Sequence, residues 1–133
     1  MKKITLLIFL TPLIFMACLS NHWNDEKLCT EIYVFIQITV KDSLNNPVIL
    51  DNFEVKNVKS NQLLPVHKDS ASASEGRYVL ITDSELRLIS ENGTSLRFSG
   101  FKNTAPIITG DYIVNQDGCH INLLSGQTDL IVE

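Results

Sequence analysis

The sequence predicts an all-β fold, a single β-sandwich of about seven short strands behind an N-terminal export segment. Three observations carry this expectation. Stretches rich in β-branched and aromatic residues recur along the chain, several with apolar and polar positions alternating at a period of two. Clusters of Asn, Asp, Gly, Pro and Ser separate them. Helical periodicity is almost absent from Glu31 onward, and 133 residues suffice for one domain rather than two.

The N-terminus stands apart from that domain. Lys2 and Lys3 precede an apolar run over residues 4–17. Such a run is too short to cross a hydrocarbon layer of roughly 30 Å as a helix. With the small residue Ala17 at its end, residues 1–17 read as a signal peptide that is removed. "FMAC", residues 15–18, resembles a bacterial lipobox, with Phe15 standing where an aliphatic residue is usual. The expectation is therefore that Cys18 becomes a lipidated N-terminus, and several acyl chains hold a protein on its membrane. Residues 18–28 are polar and aperiodic and read as a tether, with His22 and Trp23 as linker residues. Ten extended residues reach roughly 35 Å at most.

Removing residues 1–17 takes away Lys2 and Lys3 and moves the net charge from −4 to −6. The remaining basic side chains are scattered, so no basic face exists to neutralise phosphates, and nucleic acid is excluded as a partner.

The sandwich domain is expected over residues 29–133. Its first strand, "IYVFIQITV" (32–40), places Ile32, Val34, Ile36, Ile38 and Val40 on one face and Tyr33, Phe35, Gln37 and Thr39 on the other. "DSLNNP" (42–47) ends it with turn chemistry. A second strand over 53–58 points Phe53 and Val55 inward and Glu54 and Lys56 outward. Residues 59–76 break the rhythm, and "KDSASASEG" (68–76) reads as a mobile loop bordered by a surface histidine, His67. "RYVLI" (77–81) resumes strand character. "LRLIS" (86–90) and "SLRF" (95–98) flank "ENGT", which predicts a hairpin. After a loop over 101–111, "YIV" (112–114), "CHINLL" (119–124) and "LIV" (130–132) complete the strands.

Particular residues carry a family resemblance through nearly the whole mature chain. Cys29 precedes a hydrophobic strand ending in "VKD"; "NNPVILDNFEV" opens the next from an Asn-Pro turn; "EGRYVL" and "GTSLRFSGF" follow; and "DGCHINLLSGQTDLIV" closes the domain. This series resembles the carboxypeptidase regulatory-like, transthyretin-like β-sandwich domains of small lipoproteins from Bacteroidetes-type bacteria. Residues 59–76 have no counterpart, and Phe101 stands where Tyr is more usual. The resemblance implies an Ig-like/transthyretin-like sandwich, a location on the bacterial outer membrane by the lipid on Cys18, and a disulfide between Cys29 and Cys119.

From the residues alone, Cys119 beside His120 could be a nucleophile with its base, half of a metal site or one end of a disulfide. Neighbours on a strand point to opposite faces, so this thiol and imidazole do not readily meet. No Cys or His spacing typical of a metal site occurs. With Cys18 set aside, export and an even cysteine count are compatible with a bridge, and the resemblance pairs Cys29 with Cys119. Asp83 and Glu85, at i and i+2, would share a strand face and read as solvated surface acids. Ser70, Ser72 and Ser74 lack a G-x-S-x-G context, and Asn92-Gly93-Thr94 is read as turn rather than glycan acceptor. No catalytic residue, metal ligand or cofactor is expected, and the chain is not expected to be an enzyme.

The functional expectation is a non-enzymatic, lipid-anchored envelope module that binds protein or glycan, or serves as an accessory, through loops 59–76 and 101–111. The alternative is a transthyretin-like carrier or hydrolase of a small molecule, which would require a pocket with His67 or His120 at its mouth. His120 is expected to be a sheet or surface residue, and the sequence assigns it no role.

Overall fold

The computed structural model describes residues 27–133. The signal peptide, the lipidation of Cys18 and the tether residues His22 and Trp23 lie outside the described residues. Among the described residues seven strands follow in order: β1 (Phe35–Asp42), β2 (Asn52–Asn57), β3 (Arg77–Thr82), β4 (Thr94–Lys102), β5 (Ala105–Gln116), β6 (Ile121–Ser125) and β7 (Asp129–Val132). A short helix α1 (Ser70–Ser74) precedes β3, and a 3₁₀ helix (Asp83–Leu88) follows it. One sheet has the order β3-β1-β7 and the other β2-β4-β5-β6. The pairings are antiparallel except β1 with β7, which run parallel. The two sheets pack as the expected sandwich.

Period-two alternation fills the space between the sheets. Ile36, Ile38 and Val40 of β1, Val55 of β2, Leu96 and Phe98 of β4, and Tyr112 and Val114 of β5 are all buried. Full burial of each large apolar side chain contributes about 1.5–3 kcal/mol. Phe53, Tyr78 and Phe98 cluster with ring centroids 5.2–6.2 Å apart. Buried Tyr112 donates its hydroxyl to the Gln127 carbonyl at 2.7 Å, and burial pushes its pKa up to about 12.

The pairings give the sandwich two distinct ends. Phe35 of β1, Thr82 of β3, Asn57 of β2, Thr94 of β4, Gln116 of β5 and Ile121 of β6 lie at one end, where the N-terminal arm joins. Asp42, Arg77, Asn52, Lys102 and Val132 lie at the other, with the turn at Asn103–Thr104.

The structure departs from the sequence expectation in several places. The first strand begins at Phe35, not Ile32: Ile32 is 68% exposed, and Val34 pairs with Asp83 instead, its N–H meeting Oδ2 at 2.8 Å and its carbonyl accepting from Asp83 N at 3.0 Å. β3 turns into the 3₁₀ helix at Thr82, so no ladder partner remains for residues 32–34.

Residues 86–90 are not a strand, and no hairpin joins them to 95–98. Thr82 and Glu85 form a capping box that starts the 3₁₀ helix, and Gly93 then turns the chain at φ 105° into β4. Residues 101–111 are not a loop but the tips of the β4–β5 hairpin. Asn103 holds the tight turn at φ 54°, and Pro106 is tolerated opposite Phe101 at the ladder irregularity after Gly100. Residues 59–76 are an ordered crossover between sheets rather than a loop throughout. Leu63 bridges to Lys56, buried Leu64 donates its N–H to Val55 O at 2.8 Å, and Asp69 caps α1 through the amides of Ala71 and Ser72.

Candidate functional site

Cys29 and Cys119 are joined by a disulfide with Cα atoms 5.3 Å apart, across a separation of 90 residues. Lys27 pairs with Asp117 beside it, at 3.4 Å from Oδ1. Asp117 also accepts the amides of Cys119 at 2.9 Å and His120 at 3.0 Å. Those amides, with Lys27 behind them, hold the Asp117 carboxyl at about 2. An Asx turn thus shapes the approach to β6 and presents both Cys119 and His120 to the N-terminal arm.

The His120 ring is placed by two neighbours. Its Nδ1 lies 2.8 Å from Asp83 Oδ2 and its Nε2 lies 2.9 Å from Thr30 Oγ1. Asp83 also accepts the amides of Val34 at 2.8 Å and Ile121 at 3.0 Å. Burial alone would push the Asp83 carboxyl up, but the hydrogen bonds from His120, Val34 and Ile121 outweigh it and hold the group below its ordinary value. With Asp83 ionised, Nδ1 of a neutral ring carries the proton, which leaves Nε2 to accept from the Thr30 hydroxyl.

Asp83 and Glu85 are therefore not solvated acids on a strand face. The 3₁₀ turn separates them, and a histidine answers each carboxylate. Glu85 is buried, with Oε2 accepting from Thr82 N at 3.0 Å and Thr82 Oγ1 at 2.8 Å, and Oε1 lying 3.0 Å from His67 Nε2. His67 is a half-exposed residue tied to this network, not a free loop histidine. Tyr33 adds a further link by donating its hydroxyl to Thr82 Oγ1 at 2.7 Å. Thr30, Tyr33 and Thr82 escaped sequence reasoning because the network joins segments up to 90 residues apart. The capping box "TDSE" (82–85) was the one local signal available.

A pocket of about 320 Å³ opens on the side of the sandwich where β2 and β3 form the sheet edges. Buried Leu50, Phe53 and Tyr78 form its apolar floor. The Tyr78 hydroxyl is satisfied there, accepting from Leu50 N at 2.7 Å and donating to Val48 O at 2.9 Å. The rim is polar: His67, Lys68, Asp69 and Ser72 come from the crossover, Asp51 precedes β2, and Arg77 opens β3. Lys68 reaches across to Asn52 Oδ1 at 3.2 Å, and Asp51 accepts the Asn103 amide at 2.6 Å. These links set the rim by bonds between separate segments. The pocket thus joins an apolar base to a few convergent polar groups, the composition of small-ligand sites.

The expected site loops behave differently from each other. Residues of 67–73 in the 59–76 crossover wall this pocket, whereas 101–111 supply hairpin backbone and none of its lining. Among the described residues, no cluster of three or more His, Cys, Asp or Glu side chains forms a metal-ligand set. No family model, no curated protein and no solved structure matches this chain.

Proposed function

We propose that the chain is a lipid-anchored envelope β-sandwich of the carboxypeptidase regulatory-like, transthyretin-like kind. Its principal role is to hold a recognition pocket for a protein or glycan ligand away from the membrane. The observation that carries this reading is the division of labour around the sandwich. The N-terminal arm is stapled at the Thr82/Gln116 end, while the pocket is lined by the opposite ends of β2 and β3, at Asn52, Phe53, Arg77 and Tyr78. The disulfide supports export, because such bonds persist in oxidising compartments. A tether beginning at a lipidated Cys18 would then place the stapled end toward lipid and the pocket toward solvent.

The test has two arms. Metabolic labelling with palmitate should mark the wild-type chain and not Cys18→Ala; equal labelling of both would remove the anchor from the reading. Screening monosaccharides, disaccharides and short peptides by amide chemical-shift mapping should move the signals of residues 67–73 and Tyr78. Loss of those shifts in Lys68→Ala/Arg77→Ala is expected. Shifts confined to other surfaces would refute the pocket as the recognition site.

A carrier of an apolar small molecule is the second reading. The apolar floor of Leu50, Phe53 and Tyr78 beneath His67 favours it. An aromatic or aliphatic small molecule that moves the same signals, with saccharides and peptides inert, would select it.

A further inference from the structure

The disulfide Cys29–Cys119 and the contact Thr30–His120 are consecutive pairs between the same two segments, each spanning 90 residues. The covalent bond therefore sets the register that brings the Thr30 hydroxyl to the imidazole. Beyond the imidazole lies Asp83, so hydroxyl, ring and carboxylate stand in line at 2.9 Å and 2.8 Å. That is the arrangement of an activated nucleophile, its base and the group that orients the base. Its members come from three elements: the N-terminal arm, the turn before β6 and the start of the 3₁₀ helix.

The surroundings fit the roles. Asp83 and His120 are largely enclosed, at 12% and 20% side-chain exposure, which favours a single ring orientation. Thr30 is exposed and open to a substrate. The backbone N–H groups of Thr30 and Glu31 donate to no acceptor among the described residues. The amide of the residue after a nucleophile is a common oxyanion donor. The cluster shares no residue with the pocket.

We propose that Thr30 is a nucleophilic hydroxyl, with His120 as its base and Asp83 as the positioning residue, and that it takes acyl groups from small activated esters. In the first step Thr30 Oγ1 bonds to the ester carbonyl carbon while its proton passes to His120 Nε2. The oxyanion forms beside the Thr30 and Glu31 amides. Its collapse breaks the bond to the leaving oxygen, which takes the proton from Nε2 and departs as alcohol. Water then attacks the acyl-Thr30 ester in the same manner, releasing the acid and restoring the hydroxyl. The net change is ester plus water to acid plus alcohol. The site lies on an open surface apart from the pocket, so reactivity rather than tight binding carries its substrates, which makes small activated esters the class proposed. The staple makes the activity dependent on an oxidised chain.

The experiment uses the purified, oxidised full chain with p-nitrophenyl acetate, following nitrophenolate release and mapping acetyl groups by peptide mass spectrometry. Acetylation at Thr30 is expected. Thr30→Val and His120→Ala should each lower its rate about a hundredfold or more. Thr30→Ser should retain it, which separates loss of the hydroxyl from loss of fold. Asp83→Asn should lower the rate and move the midpoint of the pH–rate profile downward, because the imidazolium loses its counter-charge; a purely structural role would leave the midpoint in place. Reduction of the disulfide should lower Thr30 acetylation by more than the fraction of chain unfolded, followed by circular dichroism, accounts for. Acetyl groups found only on lysines, or an equal rate in Thr30→Val, would overturn the proposal.

Discussion

At Asp117 a single exposed carboxylate organises the approach to β6. It accepts the amides of Cys119 and His120 and pairs with Lys27, so the side chains that meet the N-terminal arm depend on its charge. Its folded-state pKa of about 2 lies below the ordinary 3.8, so its stabilisation is present above pH 4 or so and lost as pH falls toward 2. Asp117→Asn is expected to flatten the dependence of urea midpoint on pH across that interval, lowering the midpoint near neutrality and changing it little near pH 2. A wild-type slope that survives the substitution would assign the acid sensitivity elsewhere. Asp83 shows why single residues were hard to read from sequence. Its neighbour Glu85 is two positions away, and on a strand both would face one way. The capping box replaces the strand with a 3₁₀ turn, and the two carboxylates then reach different histidines, His120 and His67.

At the scale of elements, the strands that bury alternating residues were legible, and those interrupted by turn chemistry were not. Ile36, Ile38 and Val40 sit inward as their spacing requires. The outer end of the same run failed, because Ile32 has no ladder partner once β3 ends at Thr82. The hairpin arm over 105–111 was hidden by Pro106 and Gly110, residues that local reasoning assigns to loops. Its register comes from six pairs with β4, a non-local fact. The junction before β3 shows a backbone requirement the sequence did carry. Gly76 adopts φ +69°, and a Cβ there would lie 2.5 Å from the Val40 carbonyl, while Gly76 O accepts the Val40 amide at 2.7 Å. Gly76→Ala should therefore cost about 1–3 kcal/mol, read as a lowered urea midpoint at unchanged m-value. An unchanged midpoint would mean that the β1–β3 junction relaxes around the added methyl.

For the whole molecule, the staple closes a loop spanning 90 residues, nearly the entire described chain. In the chain-entropy model this constraint on the unfolded state is worth about 4.6 kcal/mol. That is close to the total stability of a marginal small domain, about 5 kcal/mol. A Cys29→Ser/Cys119→Ser double variant should lose stability of that order in urea denaturation. A loss below about 1 kcal/mol would mean that the arm contributes little to the unfolded-state constraint. The crossover over 59–76 runs along the sandwich from the stapled end to the other, meeting β2 through Leu64, the 3₁₀ helix through His67 and β3 through α1.

Alternation and turn residues determined the fold class by themselves, because burial on a pleated sheet has a period that a sequence displays directly. The family resemblance pointed to Cys29 and Cys119 as partners. Only the tertiary structure decided what His120, Asp83, Thr30, His67 and Glu85 touch. Those contacts depend on how two sheets, an arm and a crossover converge, and no local period encodes that convergence. The pocket belongs to the same class of fact, since its floor lies on β2, β3 and the segment before β2, and much of its rim on residues that sequence reasoning left to a mobile loop.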